Sequence, residues 1–230
     1  MSFNGFGPEF FEFFEDLKKN NNREWFTQNK SRYENDVAAV CLDFIEDMQR
    51  PLASITPHFR AIPKKIGGSM FRIYRDTRFS KDKTPYKTNA GLHFRHEIGK
   101  DAHCPGFYLH LASDDIFMGA GLWKPPAPAL AQIREAIDRN PKKWVAAKSD
   151  PAFVKTIGEL AEGNPLIRAP KGYGEENPMI EDLKKRSFFM VAQGTRYQAA
   201  RPDFVDHVAG VFQSASPVVR FLTRAVDAPY

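Results

Sequence analysis

In the stretch Phe107-Tyr108-Leu109-His110-Leu111-Ala112-Ser113-Asp114-Asp115-Ile116-Phe117-Met118-Gly119, apolar residues alternate with polar or small ones on either side of a polar turn. Phe107, Leu109 and Leu111 fall on one face of an extended chain, and Tyr108 and His110 on the other. This is the two-residue period of a half-buried strand. Ser113-Asp114-Asp115 has the composition of a hairpin turn, and residues 116–119 start a second strand that pairs back on the first. Working outward, Leu92, Phe94 and His96 alternate with His93 and Arg95. Residues 70–75 set Phe71 and Ile73 against Arg72 and Tyr74. Much later, residues 187–193 (SFFMVAQ) supply a further strand. Most connections are too short for a helical crossover, so the strands pair antiparallel.

Helices flank these strands. Pro8 suits a first helical turn, and Phe10, Phe11, Phe13, Phe14 and Leu17 form a dense apolar face behind it. Asn20-Asn21-Asn22 ends that helix, with Asn22 as N-cap of the next. There Phe26, Tyr33, Val37, Val40, Phe44, Ile45, Met48 and Leu52 recur at helical steps, until Pro51 ends or kinks the run. After Pro125-Pro126, Leu130, Ile133 and Ile137 mark one helix, and Trp144 follows Pro141 in another. Asp150-Pro151 caps a third carrying Phe153, Ile157 and Leu160, and Asn177-Pro178 caps a fourth carrying Ile180 and Leu183. Pro202 and Pro217 open two closing helices. The expectation is a single α+β domain over residues 1–230, a mainly antiparallel sheet of about five strands packed with N-terminal and C-terminal helices.

Composition narrows the class without naming a chemistry. The 230 residues include 42% hydrophobic and 27% charged side chains, which excludes wholesale disorder. No window approaches 18 uncharged apolar residues, so no transmembrane helix and no membrane partner are expected. The first residues mix Glu and Asp into their apolar run and carry no leading basic region, which does not match a signal peptide. Cys41 and Cys104 make no disulfide framework, and a cytoplasmic location is expected.

The charge is local. Residues 60–87 hold nine Lys/Arg (Arg60, Lys64, Lys65, Arg72, Arg75, Arg78, Lys81, Lys83, Lys87) against Asp76 and Asp82, a net of +7, while the other 202 residues net −2. The whole positive excess thus comes from one short segment. Its forked arginines suit phosphate or carboxylate oxygens, and its lysines add mobile point charges. Two acids do not balance nine bases locally, so either acids elsewhere in the fold complete a structural network or the segment attracts an anion. Asp76, flanked by Arg75 and Arg78, fits a guanidinium partner better than a general base, because neighbouring cations lower its pKa.

Three motifs carry a family resemblance: Lys19-Asn20-Asn21-Asn22-Arg23-Glu24-Trp25-Phe26, the long run from Phe71-Arg72-Ile73-Tyr74-Arg75-Asp76-Thr77-Arg78-Phe79-Ser80-Lys81-Asp82-Lys83 through Thr84-Pro85-Tyr86-Lys87-Thr88-Asn89, and Pro170-Lys171-Gly172-Tyr173. Together they resemble the bacterial and fungal family catalogued as domain of unknown function 2461, over roughly residues 5–215. The resemblance implies one cytoplasmic domain and directs attention to the basic segment. It implies no reaction, cofactor or catalytic residue.

Other chemistries lack their signatures. His93, His96, His103, Cys104 and His110 fall within 18 residues, but His93 and His96 are three apart on a strand and point to opposite faces. HExxH and CxxC spacings are absent, and no metal site is assigned. Cys41 lies beside a helix's apolar face and reads as core, and Ser69 lacks the flanks of a nucleophile elbow. Gly67-Gly68-Ser69 and Gly119-Ala120-Gly121 are too short for phosphate-loop fingerprints, read as strand ends, and imply no cofactor. Most of the 20 Phe belong to the core, whereas Tyr74, Tyr86, Trp123 and Tyr173 lie beside basic residues or in loops, where a ring can stack on a ligand.

The functional expectation is a small phosphorylated or carboxylated ligand held by Arg72, Arg75, Arg78 and Lys83, with Lys87 assisting, Asp76 and Lys81 nearby, and Tyr86 or Tyr173 lining the pocket. The same cations and aromatic rings also suit nucleic acid, and a basic face suits an acidic protein partner.

Overall fold

A computed structural model describes residues 2–99 and 104–230. His103, one of the histidines considered for a metal, lies outside the described residues. Five antiparallel strands run in the order β1-β2-β3-β4-β5: β1 (Phe59–Arg60), β2 (Asn89–His96), β3 (Gly106–Ala112), β4 (Ile116–Leu122) and β5 (Phe188–Gln193). The hairpin read from the sequence is β3–β4, with Leu109 opposite Met118 and Leu111 opposite Ile116. The α+β class is therefore as expected, with helices before and after the sheet.

The segment expected to be a strand over 70–75 is not one. It makes two isolated bridges, Met70 to Leu92 and Tyr74 to Tyr86. Its backbone divides its hydrogen bonds between two neighbours. Phe71 N–H donates to Gly91 (2.9 Å), whereas Arg75 N–H donates to Pro85 (2.9 Å) and Ile73 accepts from Lys87 (2.7 Å). Alternation is real, with Ile73 buried and Arg72 and Tyr74 exposed, but no continuous partner exists to build a ladder. The place at the edge is taken by the two-residue β1, which the sequence reading missed.

The long N-terminal helix is also divided. Asn22 caps α2 (Arg23–Gln28), its side chain accepting from Trp25 N–H at 2.9 Å. A short α3 (Lys30–Arg32) leads into a π-helical stretch (Tyr33–Ala39), and α4 (Val40–Ile55) follows. The π-turn keeps Phe26 and Val37 both buried although they lie on different pieces of helix. Pro51 sits inside α4, which runs on to Ile55 rather than ending there. At the other end, the two expected closing helices are one, α10 (Phe204–Ala225), with Pro217 inside it. Its buried residues on both sides of Pro217, Phe212 and Val219 among them, hold the helix through the proline.

The remaining helices follow their punctuation. These are α1 (Pro8–Lys19), α5 (Ala127–Arg139), α6 (Pro141–Lys148), α7 (Pro151–Thr156), α8 (Ile180–Leu183) and α9 (Arg196–Ala199). Asp150 caps α7 through Ala152 and Phe153 N–H. Ile157 and Leu160 lie just beyond the end of α7. Asn177 acts earlier than expected, accepting from Met179 N–H at 2.8 Å in the turn that precedes α8. Among the described residues, no helix is long and apolar enough to cross a membrane.

The sheet has two unlike faces. On one, Leu92, Phe94, Phe107, Leu109, Met118, Phe188 and Met190 are buried beneath α4 and α10, with the Phe212 ring 4.8 Å from that of Phe107. The other face carries His93, Tyr108, His110, Phe117, Gly119, Phe189 and Val191, most of them half-buried. Whatever this protein binds has that second face available to it.

Candidate functional site

Strand register arranges the second face in rows. His93, Tyr108, Gly119 and Val191 lie across β2 to β5 in one row, and Gly91, His110, Phe117 and Gln193 in the next. Around the first row is an apolar trough of about 630 Å³, walled by Phe71, Phe117, Trp123 and Phe189. Glycines keep its floor low. Gly121 has φ 107°, a conformation that favours glycine, and a Cβ there would lie 2.2 Å from the Phe188 carbonyl oxygen. A Cβ at Gly119 would meet only ordinary contacts, the nearest being Tyr108 Cβ at 3.7 Å. Gly119 and Gly121 thus lie within β4 and shape its surface, where a strand end was expected.

Beside the trough, and sharing Phe71 and Tyr108 with it, a second cavity of about 470 Å³ is lined by Arg75, Asp76, Lys87, Asn89 and His110. The two adjoin in one cleft region, the first apolar and the second polar with two cations and the Asp76 carboxylate. The basic segment reaches it from above. Phe71 lies over the strands, its ring 6.0 Å from Tyr108 and 5.7 Å from His93, with Lys87 Nζ 5.3 Å and the Arg95 guanidinium 5.6 Å from its centroid.

Proton positions follow from the hydrogen bonds. Arg95 Nε donates to His93 Nδ1 at 3.1 Å, so the neutral His93 ring carries its proton on Nε2. Asn89 Nδ2 (3.5 Å) and Tyr108 Oη (3.2 Å) both lie within hydrogen-bond reach of His110 Nδ1. Burial, helped by the Arg95 charge, lowers the pKa of His93 to about 4. Burial also lowers that of His110, against the opposing pull of Asp115 and Asp114. Burial raises Tyr108 to about 12. Near neutral pH the floor is therefore uncharged, and the positive charge of the cleft comes from Arg75 and Lys87 on its rim. Burial, then the neighbouring Arg72, lowers Lys87 from the ordinary lysine value.

The structure sorts the expected ligand residues. Arg75, Asp76 and Lys87 line the polar cavity. Arg72 is next to it, its carbonyl accepting from Lys87 Nζ at 2.8 Å. Arg78 is turned away into a two-pronged pair with Asp76, at 2.9 and 2.7 Å, and its side chain is 77% exposed. Lys83 Nζ donates to the Thr77 carbonyl at 2.8 Å, and Lys81 is exposed on the same loop. Tyr86 is buried, stacked on Phe26 at 4.1 Å, and is part of the scaffold. Tyr173 is elsewhere in the fold, in the electrostatic surroundings of Asp138, Glu135 and Arg134.

Part of the basic charge is absorbed structurally. Arg60 pairs with Glu97, Lys65 with Glu34, Arg75 with Asp82 and Arg78 with Asp76, so acids outside the segment do contribute. The Thr84 N–H, then Arg75, hold the Asp82 carboxyl at about 2. The Arg78 guanidinium holds Asp76 below the usual range, so it stays a carboxylate and makes a poor base.

The first two motifs of the sequence meet here. Asn21 clamps the Tyr86 backbone from both sides, its Nδ2 donating to the carbonyl at 2.9 Å and its Oδ1 accepting from the N–H at 3.1 Å. This is the long motif of one family brought against its N-terminal partner. The chain belongs to DUF2461. That family, described as a conserved hypothetical protein, matches residues 9–221. No curated protein and no solved structure matches the chain. The DUF2461 match thus covers both the basic segment and every strand of the sheet.

Asn89, His93, Tyr108, His110 and Gly119 were not named as site residues. Their signal was the alternation itself: every second residue of β2 to β4 had to face away from the helices. His93 and His96 do project oppositely, His96 being buried with Nε2 2.8 Å from the Pro229 carbonyl oxygen. Among the described residues no three His, Cys, Asp or Glu side chains are grouped to hold a metal. Cys104 lines the trough, but burial raises its thiol, which leaves little thiolate near neutral pH. Ser69 is buried and structural, accepting from Ile62 N–H and donating to the Arg60 carbonyl.

Proposed function

We propose that this protein binds a small anionic ligand in the cleft on the second face of its sheet, the anion resting against Arg75 and Lys87. The observation that carries the reading is the convergence of those two cations with Asn89 and His110 on one cavity beside an apolar trough, the Asp76 carboxylate on the same cavity being neutralised by Arg78. A pocket with an apolar body and few polar groups at one end is the usual form of a small-molecule site. In this reading Arg78 acts through Asp76, which it neutralises, and Lys81 and Lys83 on the same loop act at most at long range.

The test is anion binding by Lys87→Met and Arg75→Gln, followed by chemical-shift titration with acetate and inorganic phosphate. Both variants are expected to weaken binding at least tenfold while Lys81→Gln leaves it nearly unchanged. Equal affinity in all three proteins would refute the assignment.

Nucleic acid remains a second reading, favoured by Phe79 and Tyr74. They are 95% and 58% exposed on the loop that carries Arg78, Lys81 and Lys83. It requires oligonucleotide affinity that falls steeply with salt and is lost in Phe79→Ala.

A further inference from the structure

Resting on that anion site, the geometry points to a more definite ligand class: a planar aromatic monocarboxylate, its rings in the trough and its carboxylate at Arg75 and Lys87. Three observations select it. The trough floor carries no side chain at Gly119 and Gly121, which leaves room for a flat body between the aromatic walls. Its walls are aromatic, with Trp123 58% exposed and set edge-on to Phe189 at 4.6 Å and 84°. Lys124 Nζ lies 5.5 Å from the Trp123 centroid, so a ligand ring meets Trp123 where the side chain remains exposed beside that cation. Polar groups that could read a nucleobase edge are sparse there.

The charge end selects a monoanion. Arg75 already shares a guanidinium nitrogen with Asp82 at 2.5 Å, and the Asp76 carboxylate sits on the same rim. With Arg75 paired to Asp82 and Arg78 paired to Asp76, Lys87 is the cation of this rim that no carboxylate among the described residues neutralises, which matches one negative charge better than the two of a phosphate. The separation fits as well. The Tyr108 and His110 rows are two residues apart along β3, about 7 Å at the rise of a strand. A fused-ring monocarboxylate is of that length from its far ring edge to its carboxylate oxygens, so with its far ring over Gly119 it spans the two rows.

Acetate, octanoate and 2-naphthoate separate the possibilities by chemical-shift titration and tryptophan fluorescence. The expected result is 2-naphthoate binding at least tenfold tighter than acetate and octanoate, with quenching that disappears in Trp123→Phe. Gly119→Leu, whose added side chain enters the trough from a position where a Cβ meets only ordinary contacts, should lose 2-naphthoate tenfold and keep acetate. Trp123→Ala, altering an exposed side chain, serves the same purpose if the leucine variant does not fold. Should acetate bind while 2-naphthoate gains nothing over it, or octanoate match it, or the trough variants leave it unchanged, the aromatic assignment is overturned and the anion site stands. Binding of none of the three overturns both.

Discussion

His93 shows how a single side chain reports on the cleft. Its folded pKa of about 4 lies below the ordinary histidine value of 6.5, because burial and Arg95 both disfavour the imidazolium. Between those two values the unfolded chain binds a proton that the native protein does not, so stability falls as pH drops through that window. Urea midpoints measured from pH 7 to 4 should therefore decline, and His93→Gln should flatten part of that decline. An unchanged slope would mean that His93 is not desolvated. His110 shifts in the same direction, so the flattening is partial. Histidine content was visible in the sequence, and so was the opposition of His93 and His96. The protonation state of His93 was not, because its desolvation depends on Phe71 lying over the strand, a contact between residues 22 positions apart.

At the scale of elements, the turn between α1 and α2 is joined to the basic segment through Asn21. Asn21→Ala removes both hydrogen bonds to the Tyr86 backbone and leaves a part-buried donor and acceptor without them. A cost of about 1–3 kcal/mol is expected, read as a lower urea midpoint with unchanged slope. The Phe26–Tyr86 stack belongs to the same joint, and a double-mutant cycle to Leu should give a coupling of about 0.5–1.5 kcal/mol. Helix existence was legible from apolar spacing, and Asn22 and Asp150 caps were legible from residue type. The π-stretch at Tyr33–Ala39 was not, since one extra residue per turn leaves apolar steps of three, four and seven nearly intact. Residues 70–75 failed for a different reason: alternation marks a two-sided environment, and a ladder also needs one continuous neighbour.

Across the whole molecule, the two faces of the sheet should differ in what they contribute. Phe212→Ala leaves a cavity between α10 and the buried face, against Phe94 and Phe107, and is expected to cost about 3–5 kcal/mol. Phe117→Ala on the cleft face removes a half-buried ring stacked on His110 at 4.6 Å, and should cost less than half as much. Similar losses for the two would contradict the division into a packed face and an open face. The net charge of +5 has little bearing on this division, because part of the basic segment is consumed by Asp76, Asp82, Glu34 and Glu97.

Local chemistry decided much of this protein before any folding. Period-two alternation specified which side chains share a sheet face, the Ser113-Asp114-Asp115 turn specified the hairpin, and the motifs around Asn21, Arg75 and Tyr86 specified the family. These are properties of neighbours along the chain, and a sequence displays them directly. Only the tertiary structure decided which cations meet at one place. Arg78 and Arg75 are three residues apart, yet one is held in a two-pronged pair with Asp76 and the other lines the cleft. It also decided that glycines in β4 floor a trough and that Tyr173 lies away from Arg75. The reason is physical: a site is a set of distances between residues remote in sequence, and those distances are set by how α4 and α10 claim one face of the sheet and leave the other.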